Sequence, residues 1–142
     1  MDVRLAVLAD YANMTLEGKL NIMGIFGEIN PPVLPFVLPV MFLVVMYSAP
    51  PAEVGRNQTL EAELIDSEGR RLLGMQSTLV VPPGRRPGAP AEVAAVLALN
   101  NVRFEDADDY QFAILVGGQV KTSVPLRVNQ PKMDGDKPER SE

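Results

Sequence analysis

No His, Cys or Trp occurs among the 142 residues, so any chemistry must rest on carboxylates, amides, hydroxyls and amines. The densest acidic group is Asp106, Asp108 and Asp109, which could offer oxygen ligands to a hard cation such as Ca²⁺ or serve a metal-assisted hydrolase. An EF-hand, however, needs acids at alternate positions closed by a distant Glu, and none follows. Acidic turns are also ordinary solvated punctuation, and that is the plainer expectation for Asp106, Asp108 and Asp109. Asp66 and Glu68 pose the same choice at another turn. Glu61 and Glu63 alternate along one face about 7 Å apart, within the range of paired glycosidase carboxylates. Nothing nearby cups a sugar, so they read as a solvent face.

A second polar group, Asp10, Asn13, Lys19 and Asn21, interrupts otherwise apolar segments. Its structural reading pairs Asp10 with Lys19 across a hairpin and turns Asn21 to backbone groups near Gly24. Its functional reading is a binding site, and these four are the first place to look for one. Without His or Cys, Ser-His and Cys-His triads are excluded, as are Cys-type zinc sites and disulfides. No Gly-rich phosphate loop is present.

Strands must position these residues, because apolar side chains recur with period two. Leu5, Val7, Ala9 and Tyr11 share one face, and Leu20, Ile22, Gly24 and Phe26 follow a turn at Leu16-Glu17-Gly18. Residues 31–39 hold four prolines and read as an extended connector that excludes a helix or a central strand. Residues 40–49 form an uncharged apolar run expected to be a strand buried on both faces. Thr59–Ile65 alternates, with Leu60, Ala62 and Leu64 inward, and returns through Asp66-Ser67-Glu68-Gly69 to a strand ending at Val81. Residues 91–99 fit a helix by their alanines and a strand by their position, with the strand favoured. Gly117-Gly118 joins two alternating runs, as a two-residue turn with positive φ at both positions requires. Pro125 in the last run predicts an edge.

The expected architecture is an all-β antiparallel sandwich of seven to eight strands over residues 1–130. Residues 131–142 carry one apolar side chain and are expected to be a disordered acidic tail. The uncharged stretch from Ile29 to Ala52 is long enough for a membrane helix, but six prolines exclude one. Thirteen basic against 18 acidic residues, net −5, argue against a nucleic-acid binder. No export signal is legible at the N-terminus, so a cytoplasmic location is the default.

The run Leu97-x-Leu99-x-x-Val102, then Asp106-x-Asp108-x-Tyr110-x-Phe112, resembles the corner of immunoglobulin-like sandwiches. There the pattern is Asp-x-Gly-x-Tyr-x-Cys, so Asp108 replaces Gly and Phe112 replaces Cys. The resemblance implies that the Tyr110 ring packs in the core while its hydroxyl bonds the backbone upstream. It also implies apolar packing where a disulfide would stand. The opening Leu5-Ala6-Val7-Leu8-Ala9-Asp10-Tyr11-Ala12-Asn13, with Gly18-Lys19-Leu20-Asn21-Ile22-Met23-Gly24-Ile25-Phe26, resembles a family of small uncharacterised bacterial intracellular β proteins over roughly residues 4–128. That family brings no catalytic residues to carry over. The expected function is a non-enzymatic binding or assembly module of the bacterial cytoplasm, without a cofactor, with a protein partner or self-association. The alternatives are a Ca-binding or Ca-assisted hydrolytic domain at Asp106, Asp108 and Asp109, and a small-molecule carrier, which would need a cavity between the sheets.

Overall fold

The computed structural model describes residues 1–132, and the expected tail lies, beyond residue 132, outside the described residues. Nine strands form in chain order: β1 Asp2–Met14, β2 Leu20–Phe26, β3 Glu28–Ile29, β4 Phe36–Ala49, β5 Asn57–Ile65, β6 Arg71–Val80, β7 Ala91–Phe104, β8 Asp108–Val116 and β9 Gln119–Val128. They make two sheets, ordered β2-β1-β4-β7 and β3-β9-β8-β5-β6. All pairings are antiparallel except β3 with β9. The all-β sandwich read from the periodicity is what forms, with one more strand than expected, the two-residue β3.

Local signals set many of these elements. Gly117 and Gly118 take φ of +59° and +80°, so the turn they make matches the right-handed twist of β8 and β9. Leu60, Ala62 and Leu64 face the core as the alternation requires, against Phe112, Ile114 and Leu126. Residues 91–99 are strand and continue to Phe104. Their alanines are tolerated because β7 pairs along its whole length with β4. β4 is buried on both faces from Leu43 to Val45, and its outer-face neighbours Phe42 and Met46 are half-buried, so the two-faced burial expected of 40–49 holds in the middle of the strand.

Two expectations need correction. Residues 31–39 are not all connector, since β4 begins at Phe36 and contains Pro39. Pairing of β1 with β4 ends at Ala9–Phe42, so at Pro39 the strand has only β7 beside it and no amide is required on the other edge. Opposite Pro39 lies Asn101, with φ +55°. The strict alternation breaks there, because Leu99 and Val102 are both buried in the core although three positions apart. The second correction concerns β1. Leu5, Val7, Ala9 and Tyr11 do share one face, but it is the one away from the core: Ala6 and Leu8 pack on the core, and the register shift between Val3 and Leu5 brings Val3 to the core side as well.

Ala9, Ala12 and Val44 are buried yet stand apart from the core between the sheets. Met14, Lys19 and Leu20 of the β1–β2 hairpin line the same cleft, of about 510 Å³, as Met46 and Ala94 of the outer face. The hairpin tip thus covers part of that face, and Tyr11 stacks edge-on against Phe42 at 5.1 Å. No helix of the described residues is long and apolar enough to cross a membrane.

Candidate functional site

The acids of the β7–β8 corner are put to separate uses. Tyr110 lays its ring edge-on against Phe104, centroids 5.1 Å apart, and its hydroxyl donates to the Asp106 carbonyl at 2.7 Å. The backbone of Asp106, not its carboxylate, therefore serves the corner. Asp108 accepts the Ser67 amide at 3.2 Å and the Ser67 hydroxyl at 2.9 Å, and its other oxygen accepts the Asp109 amide. Asp109 turns away to Arg127 at 3.0 Å. Asp106, Asp108 and Asp109 are not gathered around one point. Among the described residues no three acids lie where they could share a cation.

Asp66 is the residue whose importance the sequence understated. It is the one charged side chain buried among the described residues. One carboxylate oxygen accepts the Glu68 and Arg70 amides at 2.9 and 2.8 Å, and the other accepts the Arg70 guanidinium at 2.9 Å. Through Ser67 the same loop is tied to Asp108, so the β5–β6 hairpin and the β7–β8 corner lock together.

Titration follows from these bonds. Burial pushes the Asp66 carboxyl up, but the Arg70 amide, its guanidinium and the Glu68 amide outweigh burial and hold it below the usual carboxylate value. The Ser67 hydroxyl lowers Asp108 in the same way, against a smaller effect of burial. Both folded values lie under the unfolded ones. Their contribution to stability is therefore complete above the unfolded carboxylate range, near about pH 4, and is lost as pH falls through the folded values. The urea midpoint should hold from pH 7 to about 5 and drop below about pH 4. Asp66→Asn combined with Asp108→Asn should flatten that drop, and an unaltered acid limb in the double variant would contradict the assignment.

The hairpin residues do not assemble as a site either. The register Met14–Leu20 carries Lys19 past the end of the pairing, where it meets Glu17 at 3.6 Å. Asp10 instead falls opposite Gly24, so the expected Asp10–Lys19 pair does not form. Asn21 donates to the Asn13 side chain at 2.9 Å rather than to backbone near Gly24. Asn13 and Asn21 share the face that carries Tyr11 and Met23, while Asp10 points to the other face.

Two features escaped sequence reading. The first is the free edge of β2, flanked by Met23 and Ile25 at 64% and 63% exposure and by Tyr11 at 47%. Its absence of charge was visible in the sequence, but its place at a sheet edge was not. The second is an apolar recess of about 100 Å³ between β6 and β7, each of which ends its sheet. Val45 and Tyr47 of β4 line it together with Ala62, Met75, Ala95 and Leu97.

Comparison with known proteins adds a family and little more. The model of a family of unknown function (DUF6941) matches residues 4–129. No curated protein matches the chain. Among solved structures, a β-glucuronidase from glycoside hydrolase family 2 is 16% identical with a TM-score of 0.39. That alignment covers 71% of this chain and 12% of that one, so the chain spans about an eighth of its length.

Proposed function

We propose that this chain, which belongs to the DUF6941 family of unknown function, is a non-enzymatic assembly module that pairs with a second copy of itself through the edge of β2. The observation that carries the reading is the chemistry of that edge. Natural sheets blunt exposed edges with charges, prolines or very short strands. Leu20–Phe26 has seven residues with no charge and no proline, and its Met23 and Ile25 stand in solvent. Identical neutral strands can meet antiparallel across a two-fold axis without charge repulsion, joining the two four-stranded sheets edge to edge. The bonded Asn13–Asn21 pair supplies polar groups one row from Tyr11 and Met23, a suitable rim.

The use of the carboxylates supports a module without catalysis, since Asp66 and Asp108 spend their hydrogen bonds on holding two loops together. A chain free of cysteine suits a reducing compartment such as the bacterial cytoplasm, where this reading places it. One short edge and three exposed side chains fall below the ~800 Å² per partner of a standard interface, so the dimer should dissociate on dilution. Light scattering after size exclusion, across a concentration series, should show a mass rising from 15.4 kDa toward twice that value. Ile25→Lys should stay at the monomer mass throughout, with an unchanged melting temperature. A wild-type monomer at every concentration, or a dimer that tolerates Ile25→Lys, would sink the reading.

A further inference from the structure

The recess between β6 and β7 points to a ligand, for two reasons that are independent of the β2 edge. The first is its size. The recess measures about 100 Å³, is open to solvent and is lined mostly by apolar side chains, where closely packed sheets would leave little more than the space of a water molecule. An engineered apolar cavity of about 150 Å³ takes up benzene. Ala62 and Ala95 are the cause of the space, since both are small residues where the two sheets would otherwise interlock.

The second reason is Tyr47. Only 4% of it is exposed, yet its hydroxyl has no hydrogen-bond partner among the described residues, and burial alone raises its phenol pKa. Among the described residues no sealed side-chain polar atom lacks a partner, so this hydroxyl reaches accessible surface, and its residue lines the recess. With no protein partner, this hydroxyl is free to bond water or a ligand, whereas the hydroxyl of Tyr110 is spent on the Asp106 carbonyl. Among the described residues the one charged residue at the recess is Glu61, whose side chain belongs to the opposite face of β5 from Leu60 and Ala62. Among the described residues no cation lines it, which disfavours an anionic ligand.

We infer that the recess binds a small neutral molecule of about the size of phenol, with an apolar body between Ala62, Met75 and Ala95 and one oxygen bonded to the Tyr47 hydroxyl. The probes are phenol and benzene, titrated into the full chain and read by methyl resonances in NMR. Both should shift the Ala62, Met75 and Ala95 methyl signals, and phenol should bind about fivefold more tightly, the worth of one hydrogen bond. Tyr47→Phe should keep benzene binding and erase the preference for phenol. It should not destabilise the fold, because it removes a group that has no partner. Ala95→Leu should fill the recess and abolish both titrations. Absence of shifts up to aqueous saturation of benzene would overturn the proposal, as would a phenol preference that survives Tyr47→Phe or shifts that persist in Ala95→Leu.

Discussion

Phe112→Ala is expected to cost about 3–5 kcal/mol of stability, a large part of what a domain of this size has in total. Phe112 is fully buried at the centre of β8, opposite Leu64 on β5 and Val124 on β9. It joins the core that also contains Leu43, Phe104, Ile114 and Leu126. By the corner resemblance, this is the position where a disulfide-bonded sandwich places a cysteine. A crosslink stabilises mainly by restricting the unfolded chain, whereas a phenylalanine acts in the folded state through area removed from water and through contacts. Truncation removes both contributions and leaves a cavity that two hydrogen-bonded neighbouring strands cannot collapse. Urea denaturation should show the midpoint falling while the slope stays constant, since the surface exposed on unfolding barely changes. Phe112→Leu should retain most of the stability. A loss below about 1 kcal/mol for the alanine variant would mean that the sheets are held elsewhere.

Gly24→Val should cost about 2–3 kcal/mol, although Gly24 is exposed on an edge strand. Its φ of +70° is a conformation that β-branched residues strongly resist. A Cβ there would also run into the Asp10 carboxylate, which occupies the space the glycine leaves open. The two costs are separable. Asp10→Ala removes the collision and leaves the backbone penalty, so in that background Gly24→Val should be cheaper by the amount of the clash. A double-mutant cycle in urea measures that difference. Equal costs in both backgrounds would show that the side chain of Asp10 moves aside freely. No cost in either would contradict the backbone conformation itself.

Asp10 shows why the candidate site was only partly legible. The sequence marks it as a polar interruption of an apolar strand, which is correct, and pairs it with Lys19 by proximity along a hairpin. The register decides otherwise, because five residues of turn and the Met14–Leu20 pair set Asp10 against Gly24. Similarly, Asp106, Asp108 and Asp109 are adjacent in sequence, but successive side chains along extended backbone diverge. One therefore reaches Ser67 and another Arg127, forty-one and eighteen residues away. Neither partner carries a mark in the sequence around the acids.

Local pattern determined most of the strands, the inward face of β5 and the tight turns. Leu60, Ala62 and Leu64 point inward, Gly117-Gly118 turns, and Tyr110 reaches back to Asp106, because pleat, turn torsions and short-range bonds are local physics. Only the tertiary structure decided which strands became edges and which side chains met across the sheets. Pro39 lies within a strand because β1 has already ended its pairing beside it. Met23 and Ile25 face solvent because nothing among the described residues packs over that face of β2, and Tyr47 lines a recess because Ala62 and Ala95 were brought to it from two other strands. Period-two alternation says which face of a strand is apolar but not what lies over that face. That is settled by contacts between residues far apart in the chain.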